Sequence, residues 1–276
     1  MSEQQRFGGV WTVKKLKAVE DYLKFYTTAL KERSFKLCYI DAFSGSGNVE
    51  LNDGQVIDGS AIRALRYPFD FYYFLEINEK HNNTLYEKVK ASHPDKLDKI
   101  EIVSGDCNVF LQGIDQIRSW HDSGWRGVIF LDPYAMQLSW TCLEKISETK
   151  AFDVWYFFPF SAVNRNLPIS GEIQMANKDL LTKIFGTTEW EQNIYKESPQ
   201  QSFFDDLNLE KIPVYGLKQY IINRLKSTFP TVAPNPALLL NSNNSPIFLL
   251  CFAASNPGNA ARGLALKGAN HILEHM

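Results

Sequence analysis

The chain has 276 residues, of which 45% are hydrophobic and 22% are charged, and its formal net charge is −2. This balance is typical of a globular protein with one large domain, or one domain plus a subdomain, and no segment is disordered by composition. The charge argues against a protein that holds long nucleic acid by charge alone, although a local basic stripe stays open. Because the sequence lacks a signal-peptide pattern and an apolar run of about 18 residues, we expect a cytoplasmic protein with no membrane contact.

Cysteine and histidine spacing gives no indication of a metal site. The four cysteines form no Cys-x-x-Cys pair, and the five histidines are scattered along the chain. Ligand spacing of that kind is the usual sequence sign of structural zinc. We therefore expect no metal, and reduced, buried thiols.

The elements predicted in chain order begin with a helix and continue as strands that alternate with helices. Apolar residues recur at threes and fours over 11–31, with Thr12 as a candidate cap. Near-continuous apolar runs then predict five strands, at 35–43, 69–77, 99–106, 127–134 and 151–160. The segments between the later strands predict helices over 78–91, 108–120 and 140–149. This alternation is typical of a parallel, doubly wound α/β sheet that is covered on both faces.

The C-terminal part has a different pattern. Residues 169–227 are mostly helical in pattern and richer in polar residues, which predicts an inserted helical subdomain. Two strand-like runs follow, at 237–241 and 247–255, and the short link between them cannot hold a parallel crossover. We therefore predict a C-terminal antiparallel hairpin and a final helix over 260–273.

These patterns predict a Rossmann-like, mostly parallel sheet of the methyltransferase type with an inserted helical subdomain. We expect an N-terminal helical region at 1–34, a core formed by 35–164 and 236–276, and the insertion at 165–235. The insertion is expected to contact the substrate or a partner.

Ligands of open parallel sheets bind at the carboxyl ends of the strands. The first strand ends in the sequence YIDAFSGSG, which suggests a cofactor loop that includes Asp41, Phe43, Gly45 and Gly47. The two glycines would let the backbone approach a ligand closely.

The next three strands each end in or next to a carboxylate. Glu76 could accept hydrogen bonds from ribose hydroxyls, with a solvated strand-end glutamate as the alternative. Asp106, followed by Cys107, could accept from an adenine amino group, and it could also cap the following helix. Asp132 and Pro133 would face the reacting centre, with Tyr134 stacking on a planar acceptor, unless they form an ordinary Asp-Pro turn.

The loop after the first strand favours S-adenosylmethionine over a dinucleotide. A pyrophosphate cofactor needs Gly-x-Gly-x-x-Gly at the start of a helix, but Glu50 occupies the third glycine position. A polar loop over 48–58 then delays the helix to about Gly59 and Ser60. Asp41 and Glu50 would repel phosphate, whereas the sulfonium and ammonium groups of S-adenosylmethionine suit an acidic site. An NAD-dependent oxidoreductase is therefore a distant alternative.

Several motifs resemble the three-Cys-motif partner family, TcmP. They are T-x-x-KL, YIDAFSGSG, DGSAIRAL, FLE, GDCN, FLDPYA and FAASNPG, and the resemblance spans most of the chain except about 165–230. It implies a bacterial or phage methyltransferase-like protein with a three-cysteine, radical-SAM-like neighbour as partner. The cofactor positions carried over are Gly45, Gly47, Glu76 and Asp106, with Asp132 and Pro133 at the catalytic motif. That motif is similar to the Asp-Pro-Pro-Tyr of amino-group methyltransferases but has one proline.

The expected activity is methyl transfer to an amino group or a nucleobase. Asp132 and the Pro133 carbonyl would accept the hydrogens of the amino group and orient its lone pair. Cys142 could be the nucleophile of a cytosine C5 mechanism, but it lies on an apolar helix face, where a thiol stays protonated. Arg165 could contact a phosphate or carboxylate of the substrate. The alternative is a catalytically silent, methyltransferase-fold binding partner of the three-cysteine protein.

Overall fold

The computed structural model of the protein describes residues 10–197 and 209–276. Its helices in these ranges are α1 (Val10–Leu30), α2 (Ser60–Ala64), α3 (Glu79–Ser92), α4 (Cys107–Gln112), α5 (Ile114–Ile117), α6 (Trp140–Glu148), α7 (Phe160–Arg165), α8 (Met175–Phe185), α9 (Trp190–Ile194), α10 (Val214–Thr228) and α11 (Asn259–Glu274), with a 3₁₀ helix at Pro94–Lys99. The strands are β1 (Lys36–Asp41), β2 (Asn48–Glu50), β3 (Val56–Asp58), β4 (Phe71–Glu76), β5 (Ile100–Ser104), β6 (Trp125–Leu131), β7 (Phe152–Phe158), β8 (Tyr195–Glu197), β9 (Leu209–Lys211), β10 (Thr231–Val232), β11 (Ala237–Leu240) and β12 (Pro246–Ala254). Among these described helices, none is long and apolar enough to cross a membrane.

The central sheet confirms the predicted fold class. Five strands run parallel in the order β5-β4-β1-β6-β7, and β12 joins β7 antiparallel. Strand β11 pairs antiparallel with β12, which is the predicted C-terminal hairpin. The short strand β10 also pairs with β12. The result is a mixed, mostly parallel Rossmann-like methyltransferase sheet.

Both faces of the sheet are covered, which explains why its strands are continuously apolar. On β1, Leu37 and Tyr39 belong to one buried cluster, which includes residues of α1, α2, α3 and α11. Cys38 and Ile40 belong to the other, which includes residues of α4, α6, α8 and α10. Alternate side chains of a strand point to opposite faces, so a strand between two helical layers needs apolar residues at every position.

Helices of the 165–235 segment pack on the second of these faces. Phe185 of α8 stacks on Phe158 of β7 with ring centroids 6.2 Å apart, and Leu217 of α10 is buried in the same cluster. The segment also contains the β8–β9 hairpin. Residues 198–208 lie outside the described ranges. The division into a core and an inserted recognition subdomain stays a prediction.

Three local predictions were wrong. The single helix expected over 108–120 is two short helices, α4 and α5, because Gly113 ends the first one. The polar loop expected over 48–58 contains the β2–β3 hairpin, whose turn has Gly54 at φ +84°. Thr12 lies inside α1 and does not cap it, since the helix already includes Val10.

Candidate functional site

A cleft of about 990 Å³ lies where the carboxyl ends of the parallel strands meet. The strand order reverses at β1, which has β4 on one side and β6 on the other, and such a switch point is the usual ligand site of an open sheet. The volume is at the upper end for small-molecule sites. All the predicted site residues line it except two, Asp41 and Gly47.

The two glycines of the loop after β1 have different surroundings. Gly45 has φ +58°, and an added Cβ would meet no atom within 4 Å, so its backbone borders open space in the cleft. Gly47 has φ +77°, but an added Cβ would lie 2.8 Å from Leu85 and 3.1 Å from Ile62. Gly45 therefore gives a ligand close access to the backbone, whereas Gly47 allows the loop to pack on the helices behind it.

Asp41 lies beneath the cleft and is fully buried. Its carboxylate accepts from the Phe43 amide at 3.2 Å and from the Tyr39 hydroxyl at 3.4 Å. Burial raises the pKa of Asp41 to about 7, and the Asp132 carboxylate adds to the rise, while hydrogen bonds from Ser60 and Phe43 oppose it. Asp41 therefore helps to fix the conformation of the loop after β1 by accepting from the Phe43 amide.

Glu76, at the end of β4, ties two segments together across the cleft. One carboxylate oxygen accepts from the Gly45 amide at 3.1 Å, and the other accepts from the Asn78 amide at 2.7 Å. A carboxylate has about four acceptor positions, so each oxygen can accept one further hydrogen bond. The side chain is only 14% exposed, which strengthens such bonds.

Asp106 caps α4, as the alternative prediction for this residue stated. It accepts from the Asn108 amide at 2.9 Å and from the Asn108 side chain at 2.7 Å, and these bonds lower its pKa. Capping uses Oδ1, so the cap and a ligand contact through the second oxygen are compatible. Cys107, beside it, is buried, and burial raises the pKa of its thiol to about 12.

Asn108 connects this side of the cleft to the segment that follows β6. Asn108 Nδ2 also donates to the Gln137 carbonyl at 3.2 Å, and Asn108 Oδ1 accepts from the Ser139 backbone amide at 2.8 Å. The Cys142 thiol donates to the same oxygen at 3.3 Å. Cys142 is fully buried and its pKa is raised to about 11, mainly by burial, so it does not act as a nucleophile here.

On the opposite side of the cleft, Asp132 forms an ion pair with Lys15 of α1. The Lys15 ammonium donates to Asp132 Oδ2, and the two side chains are 11% and 20% exposed. The ammonium also lies 5.1 Å from the ring centroid of Trp11 and 5.4 Å from that of Phe157. Contact with aromatic faces stabilises a cation beyond its ion pair. Lys15 is therefore held by one carboxylate and two rings.

The residues after Asp132 form a tight turn at the cleft edge. Pro133 and Tyr134 line the cleft, and the Tyr134 side chain is half-exposed. Ala135 then takes φ +53°, a left-handed conformation that costs a residue with a Cβ about 1 kcal/mol or more. Such strain is often found at functional sites and fixes where the preceding side chains lie.

Some cleft residues were missed by sequence reasoning. They are contributed by α1, the 48–60 segment, α8 and the C-terminal hairpin, and include Trp11, Thr12, Lys15, Asn48, Ser60, Lys183, Asn241 and Phe248. A signal for Lys15 existed, because it stands four residues after Trp11 and four before Val19, on the apolar stripe of a periodic helix. Exposed Arg165 and Lys183 also line the cleft, and contact of Arg165 with a substrate phosphate or carboxylate stays a prediction. In the described ranges no cluster of three or more metal-ligating side chains occurs.

Comparison with protein-family models gave no match, and neither did comparison with curated protein sequences. The resemblance to the three-Cys-motif partner family therefore stays a prediction. Several solved structures are similar to this chain in fold. The protein LPL1258 of Legionella pneumophila, family model DUF519, is 12% identical with a TM-score of 0.51, and the match covers 94% of this chain and 92% of that one.

Two structures solved with SAH are also similar. One is SMU.1697c, a candidate methyltransferase of Streptococcus mutans, at 13% identity and TM-score 0.42 over 87% of this chain and 97% of that one. The other is the plantazolicin methyltransferase BamL, at 10% identity and TM-score 0.40 over 89% and 85%. Because both TM-scores lie below 0.5, neither supports a conclusion about this chain's activity. The fold is shared with LPL1258, and the function has to be inferred from the site.

Proposed function

We propose that the protein is an S-adenosylmethionine-dependent methyltransferase that acts on an amino group. The observation that carries this proposal is the arrangement of the cleft. Glu76 and Asp106 stand beside the open backbone at Gly45, and Asp132-Pro133-Tyr134 lie across the same cleft.

The cofactor side of the cleft fits the chemistry of S-adenosylmethionine. An added Cβ at Gly45 or Gly105 would meet nothing within 4 Å, so both leave a cradle against the backbone. Glu76 would hold the ribose hydroxyls with its remaining acceptor positions, and the second carboxylate oxygen of Asp106 would accept from the adenine amino group. When bound, S-adenosylmethionine supplies a methyl group on a cationic sulfur, and transfer breaks the carbon–sulfur bond, whose electron pair stays on sulfur.

The acceptor side positions a nitrogen. Asp132 would accept one hydrogen of the amino group through Oδ1, since Lys15 occupies Oδ2, and would pass the proton released on methylation to solvent. The Pro133 carbonyl would accept the second hydrogen, and the Tyr134 ring would pack against the acceptor. Positioning of this kind supplies most of the rate of a displacement between two bound groups.

Calorimetric titration with S-adenosylmethionine, its demethylated product SAH, and NAD tests the cofactor. We expect the first two to bind and NAD not to bind, and binding of NAD alone would contradict the proposal. Transfer of labelled methyl groups to nucleic acid and protein fractions of a cell lysate then tests catalysis. Asp132→Ala should abolish labelling while it changes SAH affinity less than twofold, because Asp132 contacts the acceptor.

The catalytically silent partner is the alternative that this experiment separates. Tight SAH binding with no labelling of any fraction, both with and without a three-cysteine neighbour protein, would favour it. That neighbour and the recognition role of residues 165–235 are part of this proposal. Labelling of a fraction only when the neighbour is added would support both.

A further inference from the structure

The ion pair between Lys15 and Asp132 places a fixed cation at the acceptor side of the cleft. Lys15 lies on the long helix α1, so its backbone is held, and its ammonium is enclosed by Asp132, Trp11 and Phe157. Only 11% of the side chain is exposed. A cation held this closely is a permanent part of the site, and its charge acts on anything that binds beside it.

Lys15 leaves Asp132 with one available oxygen and no uncompensated charge. The ammonium uses Oδ2, and no donor in the described ranges reaches Oδ1. A second cation at Oδ1 would share one carboxylate with Lys15. Two like charges at that separation repel strongly in a cleft that is only partly open to water. A protonated aliphatic amine is therefore disfavoured at this position.

An uncharged amino group fits the same position without that cost. Its N–H can donate to Asp132 Oδ1, and conjugation with a ring keeps it unprotonated at neutral pH. A ring that carries such a group also presents a flat face, which suits the aromatic residues Tyr134 and Phe248 in the lining. The exocyclic amino groups of adenine and cytosine have this chemistry.

We propose that Lys15 is a specificity-determining residue, which makes the acceptor site select an uncharged amino group on a planar conjugated ring and reject aliphatic ammonium groups. This inference rests on the proposed function and names its substrate class. It assigns Lys15 a role in recognition through its charge, apart from any role in holding Asp132.

Binding of two probes to the full chain tests the proposal. The chain is first loaded with SAH, so that adenosine cannot enter the cofactor position, and is then titrated with adenosine or with cadaverine, an aliphatic diammonium. We expect adenosine to bind at least about tenfold more tightly than cadaverine. Inosine, which lacks the amino group, should bind more weakly than adenosine.

Variants at Lys15 separate the charge from the shape of the side chain. Lys15→Met removes the charge at similar length, so cadaverine affinity should rise about tenfold while the affinity for uncharged adenosine changes little. Lys15→Arg keeps the charge and should keep the preference of the native chain. Lys14→Met is the matched control, because Lys14 is exposed and bonds the Met276 carbonyl outside the cleft, and it should behave as the native chain.

The outcomes distinguish the proposal from the function on which it rests. If SAH does not bind, the proposed function is wrong and this inference falls with it. If SAH binds, equal affinities for the two probes in the native chain, or no adenosine binding, would overturn the inference alone. An unstable Lys15→Met variant leaves the test intact, because equal affinities in the native chain, or loss of the preference in Lys15→Arg, would still overturn the inference.

Discussion

Replacing Glu76 by alanine removes the carboxylate that accepts from the Gly45 and Asn78 amides. In the proposed complex the same carboxylate accepts hydrogen bonds from the cofactor ribose. Charge-assisted hydrogen bonds contribute about 1.5–3 kcal/mol each, so the loss of one or two, partly replaced by water, should weaken SAH binding by roughly 10- to 100-fold. Glu76→Gln keeps one acceptor oxygen and should lose less.

The variant should remain folded. Two backbone amides lose their acceptor near the surface, which costs on the order of 1–3 kcal/mol of unfolding free energy and lowers Tm by a few degrees. Calorimetry with SAH measures affinity, and a thermal melt on each sample confirms folding. Glu79→Ala is the matched control, because Glu79 is an exposed glutamate three residues away. Unchanged SAH affinity in a folded Glu76→Ala variant would refute the assignment of Glu76 to the cofactor.

Two further predictions follow from the strained and buried groups. Gly45→Ala should lower Tm only slightly and weaken SAH binding at least tenfold. Gly47→Ala should lower Tm more, because its Cβ would clash with Leu85 in addition to the left-handed strain. The reverse order in thermal melts and SAH titrations would contradict the geometry. Burial raises the pKa of Asp153, which accepts from Tyr22 at 2.7 Å, from 3.8 to about 7. The folded chain therefore binds a proton that the unfolded chain releases, and this contribution to stability is present below about pH 4 and lost as the pH rises through about 7. Asp153→Asn should remove this loss of stability between pH 5 and pH 8. Denaturant melts at the two pH values measure it, and the same pH dependence in the native chain and the variant would refute the prediction.

The strands and the C-terminal hairpin could be predicted because their signals are local. A strand covered on both faces must be apolar throughout, and a five-residue link permits only an antiparallel return. Because the strands are parallel, their acidic carboxyl ends lie at the same edge of the sheet. Most of the predicted site residues therefore line one cleft. The β2–β3 hairpin also had a local signal, the Asp53-Gly54 turn, which was overlooked.

The Lys15–Asp132 pair could not be predicted in the same way. Its members are 117 residues apart, and the position of α1 over the cleft depends on packing between helices and sheet. Periodicity shows that Lys15 lies on the buried stripe of its helix, but it does not show which carboxylate is opposite. The role of Asn108 was hidden for a similar reason, because its partners at 137–142 belong to a different connection.

The placement of α1 has a consequence for the order in which the molecule can assemble. Tyr22 of α1 packs against Trp155 of β7 and Phe252 of β12, with ring centroids 5.2 and 5.1 Å apart, and α1 also packs against α11. On the ribosome, α1 leaves the exit tunnel before any other described element, whereas β12 and α11 leave last. Contacts this distant in sequence form slowly. The packing surface of α1 is therefore complete only after translation of the hairpin and α11, so a nascent chain that already has all five parallel strands still lacks part of the surface that holds α1.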